Sequence, residues 1–245
     1  MARFYLPADE WEKTVWELTG DEAHHATKVL RLKEGSTCIV FDGQGRAAEA
    51  CIKGQPHASS VLLERGPDIS EPTSMARITL FQSVPKGSNM DLIIQKAVEL
   101  GVSHIVPLIT DRTIVRLNAK EAKAKQQKWQ RVALEACKQC GQNTLPIVED
   151  PQTFAEGIKK KSVDGVHLIA SLVDGVKPIR DVLESARNSS IKEASLLVGP
   201  EGDFTGQETA LALESGFTPV TLGNIVLRVE TATFFGMAAI RYALD

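Results

Sequence analysis

No apolar run in this 245-residue sequence approaches the roughly 18 residues of a membrane span. The charged opening Met1-Ala2-Arg3 is not followed by an apolar signal core either, so the expected location is the cytoplasm and no membrane partner is expected. Cysteine is scarce, with four residues. A Cys-x-x-Cys at Cys137 and Cys140 has no second Cys or His pair to complete a zinc site, so no metal is expected. Both cysteines continue the helical-spaced stripe Trp129, Val132, Ala133, Ala136, which reads as core. Charge of one sign is lacking too: the net of −3 does not mark a nucleic-acid binder. Familiar catalytic motifs are absent. There is no Gly-x-x-x-x-Gly-Lys-Ser/Thr, no Gly-x-Ser-x-Gly, no His-Glu-x-x-His and no Gly-x-Gly-x-x-Gly at a strand-to-helix turn, which removes most of the case for kinases, hydrolases and dehydrogenases.

What is present divides the chain in two. The first part reads as short strands at 3–6, 14–18, 36–41, 46–52 and 59–64, with a helical piece over 21–30 and a hairpin turn at Asp42-Gly43-Gln44-Gly45. That pattern suggests a small, partly closed β-barrel over residues 1–70. Residues 66–74, with Gly66, Pro67 and Pro72, break all periodicity and read as a linker. From residue 75 to 245 strands and helices alternate, with strands at 78–84, 104–109, 166–172, 195–199 and 219–222. Helices are expected over 90–100 and 118–140, closed by Gly101 and Gly141, and after the capping box Thr205-x-x-Glu208. Alternation of this kind implies an α/β domain with a parallel sheet covered on both faces.

The most informative stretch pairs two glycine-bearing loops near the end of the chain, Gly199-Pro200-Glu201-Gly202-Asp203-Phe204 and Leu222 to Ala232. Each leaves an apolar run and enters a helix, so backbone groups converge where strands end, a place suited to a compact cofactor. Glu201, Arg228 and Glu230 lie at the tips. Two basic clusters stand apart: Lys120, Lys123, Lys125, Lys128 and Arg131, which read as a solvated helical face, and His24, His25, Lys28, Arg31 and Lys33.

Those two loops resemble the RsmE family of ribosomal RNA uridine-N3 methyltransferases, within the SPOUT superfamily. The likeness extends to His25-x-x-x-Val29-Leu30-Arg31-Leu32-Lys33-x-Gly35, which looks like the signature of that family's PUA-like barrel, and to Pro85-Lys86-Gly87 with Met90 to Gly101. Pro107 to Arg116 and Glu135 to Gly141 fit as well, in the expected order. The resemblance implies a SPOUT-type catalytic domain with a C-terminal trefoil knot, S-adenosylmethionine held in the knot, and a homodimer acting on N3 of a uridine in 16S ribosomal RNA or the small subunit. It implies cofactor contacts from Leu172, Val198, Gly199, Gly202, Leu222, Gly223 and Leu227, catalytic roles for Arg228 and Glu230, and RNA contacts from Arg3, His24, His25, Arg31, Lys86 and Arg112. Four positions depart from the family pattern: Asp203 stands where a third glycine is frequent, Asn224-Ile225 replaces Pro-Arg, and Gln142 replaces an arginine. The rival readings are a methyltransferase acting on another RNA and a non-catalytic RNA-binding or ribosome assembly factor of the same fold.

Overall fold

The computed structural model describes residues 1–70, 76–173 and 176–245. The chain forms two compact units: Met1–Thr73 joined by Cys137–Leu145, and Ser74–Ala136 joined by Pro146–Asp245.

In the first unit the order is β1 (Arg3–Tyr5), α1 (Ala8–Trp11), β2 (Trp16–Thr19), α2 (Gly20–His24), a π turn over His25–Val29, β3 (Thr37–Phe41), β4 (Ala47–His57) and β5 (Ser60–Ile69). The sheet runs β1-β3-β4-β5-β2, antiparallel except where β1 lies parallel to β3. Alternation places Phe4, Trp16, Leu18, Val40, Ile52, Val61 and Leu63 in one core. Trp11 and Trp16 stack at 4.5 Å, and the indole N–H of Trp16 donates to the Trp11 carbonyl, satisfying its one polar atom. The turn at Asp42 forms as its sequence suggests, because one Asp42 carboxylate oxygen accepts from the amides of Gln44 and Arg46.

One expectation fails here. Gly66 to Ile69 do not begin a linker; they are the last residues of β5. Ala48 pairs with Asp68 and Ala50 with Arg65, so Gly66-Pro67 bulge opposite Glu49. A bulge tolerates the missing proline N–H, and a Cβ on Gly66 would stand 3.0 Å from the Glu49 carbonyl oxygen. The rest of that expected linker, 71–74, lies outside the described residues.

The second unit contains β6 (Arg77–Ser83), α3 (Asn89–Glu99), β7 (His104–Ile109), α4 (Ala119–Cys140, whose last turn belongs to the first unit), β8 (Ile147–Val148), β9 (Gln152–Thr153), α5 (Phe154–Gly157), β10 (Val166–Ala170), β11 (Lys177–Pro178), α6 (Ile179–Asn188), β12 (Glu193–Val198), α7 (Gly206–Glu214), β13 (Thr218–Thr221) and α8 (Val229–Leu244). All sheet pairings are parallel, in the order β11-β13-β10-β12-β6-β7-β8, with β9 beside β7. Strands buried on both faces explain the continuous apolar runs Leu196-Leu197-Val198 and Ile105-Val106. On one face Phe81, Ile169 and Leu197 pack with Phe154, Phe204 and Phe217. On the other, α8 lies against β12, α3 and α6, so closely that a Cβ on Gly236 would meet Leu196 at 2.7 Å.

The helix α4 also departs from expectation at its end. Cys137 is buried, and burial pushes its thiol up to about 12, which leaves it an inert core group. Cys140 is exposed and is not core: the helix's buried side ends at Cys137. The basic face behaves as a solvated surface, with Lys123 paired to Asp150, Lys128 to Asp91, and Lys125 over the Trp129 ring.

Candidate active site

Parallel strands all end on the same side, and the loops leaving β10, β12 and β13 meet there around a cavity of about 450 Å³. That volume falls within the roughly 300–1,000 Å³ of small-molecule sites. Ser171 and Leu172 line it from the first loop, Gly199, Pro200, Glu201 and Asp203 from the second, and Leu222, Gly223, Ile225, Val226 and Leu227 from the third. Arg228, Val229 and Glu230 at the start of α8, and Asn89 at the start of α3, complete the wall.

The second loop holds its shape by several local bonds. Thr205 caps α7, accepting from the Glu208 amide at 3.2 Å, while the Glu208 carboxylate accepts from the Thr205 amide at 2.8 Å. Asp203 has φ of 61°, in the left-handed region that favours glycine, and its carboxylate accepts from the Phe204 amide at 2.8 Å. Aspartate is among the few side chains that tolerate this region, because its short polar arm bonds locally. The conformation therefore survives the departure from glycine. In the third loop Gly223, at φ of 137°, is held by the Thr221 hydroxyl, which accepts from its amide and donates to its carbonyl.

Of the expected cofactor contacts, Leu172, Val198, Gly199, Leu222, Gly223 and Leu227 line the cavity. Gly202 does not. It faces away, where a Cβ would stand 3.3 Å from Cδ of Arg112. Gly199 is small for a reason internal to the fold, since a Cβ there would press on the Phe204 ring at 3.2 Å.

Both expected catalytic residues are on the cavity wall. Arg228 is exposed at the N-cap position of α8, and among the described residues its guanidinium has no hydrogen-bond or ion-pair partner. Glu230 is half-buried in the first turn of α8, where the helix dipole favours a carboxylate, and accepts from Asn89 Nδ2 at 3.5 Å. Glu201 accepts from the Lys86 amide at 2.9 Å, tying the loop after β6 to the cavity rim. Sequence reasoning missed Asn89, although the segment Lys86-Gly87-Ser88 before it is another strand-to-helix loop on the same sheet edge.

The expected RNA contacts separate into two kinds. His24, Arg31 and Lys86 are exposed, and His25 packs edge-on against Phe4. Arg3 is engaged within its own unit: its guanidinium donates to Asn143 at 2.6 Å and lies over the Phe41 ring, and burial lowers its pKa from the ordinary arginine value. It is a structural group of the first unit. Arg112 is engaged within its own unit, where one terminal nitrogen donates to the carbonyls of Gly202 at 2.6 Å and Phe204 at 3.3 Å. Among the described residues no cluster of His, Cys, Asp and Glu could hold a metal, and no helix is long and apolar enough to cross a membrane.

Comparison with known proteins gives consistent matches. A family model described as an RNA methyltransferase domain matches residues 71–241, and one described as an RNA methyltransferase PUA domain matches 18–62. The chain is 34% identical to ribosomal RNA small subunit methyltransferase E of Synechocystis, over 93% of this chain and 73% of that protein. It is 30% identical to the Bacillus subtilis protein of the same name, over 96% and 92% of the two chains. The solved structure of ribosomal RNA small subunit methyltransferase E from Neisseria gonorrhoeae bound to S-adenosyl methionine superposes with a TM-score of 0.86 at 34% identity, covering 99% of this chain and 97% of that one.

Proposed function

Because the chain belongs to the ribosomal RNA small subunit methyltransferase E family of RNA methyltransferases, we propose that its cavity holds S-adenosylmethionine and that it methylates N3 of a uridine in small-subunit (16S) ribosomal RNA. The observation that carries this reading is the cavity itself, with an apolar wall from three strand-end loops and, on that wall, Glu230 and an arginine, Arg228, that has no partner among the described residues. The residues fit the cofactor. Leu172, Val198, Leu222 and Leu227 offer apolar enclosure, and the backbone at Gly199 and Gly223 is open to close approach. When bound, the sulfonium supplies a methyl group already electrophilic, so the protein's task is alignment and charge.

Uracil N3 carries a proton at neutral pH and is a poor nucleophile until that proton is weakened or lost. Arg228 stabilises the negative charge that develops on the uracil carbonyl oxygens, and Glu230 takes the N3 proton or orients the arginine. Asn89 keeps Glu230 in place. RNA recognition is assigned to residues 1–70, with His24, His25 and Arg31 as contacts, and methyl transfer to 75–245, with Lys86 contacting phosphate. The exposure of His24, Arg31 and Lys86 supports this division.

The homodimer and the knotted path belong to the same proposal. An outward stripe on α8 of Thr231, Phe235, Ala238 and Tyr242 supports the first: Phe235 is 47% and Tyr242 88% exposed, more apolar ring than a solvated helix face usually shows. The second is supported by the return of α8 to β12 after β13, which lies beyond β10 in the sheet. The reaction takes place in the cytoplasm, where ribosomal RNA is matured. Nucleoside analysis of 16S ribosomal RNA from a strain lacking the protein tests the reading. N3-methyluridine disappears at one position and returns with the wild-type gene; an unchanged nucleoside profile rejects the assignment.

A further inference from the structure

We propose that Arg112 is a positioning residue of the donor cavity, fastening the loop from Gly199 to Thr205 from behind. The inference rests on the reading of that cavity as the S-adenosylmethionine site. Arg112 projects from a turn that is itself rigid. Thr110 and Thr113 are both buried, their hydroxyls lie 2.7 Å apart, and the Thr110 amide donates to the Thr113 hydroxyl at 3.1 Å. From this base one terminal nitrogen of Arg112 reaches the carbonyls of Gly202 and Phe204. The neighbouring amide of Asp111 donates to Glu208 at 2.9 Å, the carboxylate that also closes the capping box of α7. The turn thus grips the loop on both sides of Phe204.

The opposite side of the same loop, through Gly199, Pro200, Glu201 and Asp203, is cavity wall. Its two carbonyls at Gly202 and Phe204 would otherwise be solvated, and the loop would sample more conformations before a ligand could order it. A guanidinium suits the task because it is always charged and donates in fixed directions, whereas a lysine offers one mobile point charge. A phosphate contact makes a looser demand: arginine can meet it with its fork, but lysine also meets it as a point charge.

The test uses full-length Arg112→Lys and Arg112→Met proteins. Amide hydrogen exchange without ligand reads the loop, calorimetry with S-adenosylmethionine reads the cavity, and RNA affinity against salt reads phosphate contacts. Both variants should lose protection at the Asp203 and Phe204 amides and bind the cofactor more weakly by roughly tenfold, the loss of one charge-assisted hydrogen bond, with thermal unfolding still cooperative. The slope of RNA affinity against salt should stay at the parent value. The proposal is overturned if exchange at those amides is unchanged, or if lysine restores the parent cofactor affinity while methionine lowers the salt slope by about one, the signature of a lost phosphate contact. A parent protein that binds no S-adenosylmethionine would reject the functional reading, and the exchange arm would still decide the role of Arg112.

Discussion

Replacing Arg228 by alanine separates chemistry from binding and from folding. The side chain stands at the N-cap position of α8 but makes no capping bond, and it is exposed without a partner among the described residues. Its removal should therefore change stability by less than about 0.5 kcal/mol, as for surface substitutions in general. Arg228 is one of many residues on the cavity wall, and the apolar enclosure comes from Leu172, Val198, Leu222 and Leu227, so S-adenosylmethionine affinity should stay within about twofold of the parent. The methyl-transfer step is different. A unit charge about 4 Å from a developing oxyanion, at an effective dielectric near 20, contributes up to roughly 4 kcal/mol. With charge only partly developed, about 2–4 kcal/mol is expected, or roughly 30- to 1,000-fold in rate. Single-turnover transfer of labelled methyl to 16S ribosomal RNA, with calorimetry in parallel, measures both numbers. A variant whose single-turnover rate stays within threefold of the parent would refute the electrostatic role.

Three further outcomes rest on particular contacts. Asp203→Ala should destabilise the protein by about 1–2 kcal/mol, since alanine keeps the left-handed strain and loses the bond to the Phe204 amide, while Asp203→Gly should cost less than about 1 kcal/mol; urea unfolding ranks the two, and equal losses would show that strain is irrelevant there. Arg241→Met removes donors from the carbonyls of Ala76, Leu100 and Gly101, and chemical denaturation should show a loss of about 2–4 kcal/mol. Burial, helped by Lys161, lowers the pKa of His167, so the unfolded chain takes up a proton first as pH falls. The stability linked to His167 is full above about pH 6.5 and is lost as pH drops through the lower folded pKa. His167→Phe should flatten that acid limb in thermal melts, and an unchanged limb would assign it to other groups.

Much of this arrangement was legible because it is local. The Thr205-x-x-Glu208 box, the Asp42 turn and the glycine closing α3 are set by residues within a few positions of one another, and all three form as expected. The cavity loops were legible for a related reason: an apolar run buried on both faces must end at the sheet edge, and the residues just after it line that edge. The features that stayed hidden depend on distant partners. Gly66-Pro67 reads as a break unless it is known that Glu49 lies opposite. An arginine in a sequence looks the same whether it meets phosphate, a ring or a carbonyl, and only the fold brings Asn143 to Arg3 and Gly202 to Arg112. Asn89 was marked only by its place after a strand-to-helix loop, since its particular contact is with Glu230, far along the chain.

The first unit is finished by a segment encoded far downstream. Residues 137–145 supply Asn143 to Arg3, Lys138 to a Glu22 whose side chain is only 14% exposed, and Thr144 as a bridge to Gly43 and Gln44. A ribosome making this protein releases Met1–Ile69 roughly 70 residues before that segment, a delay of about 4–14 s at ordinary elongation rates. During that interval the strands of the first unit have their hydrophobic core but lack their polar clasps, which arrive only once α4 of the second unit has been made.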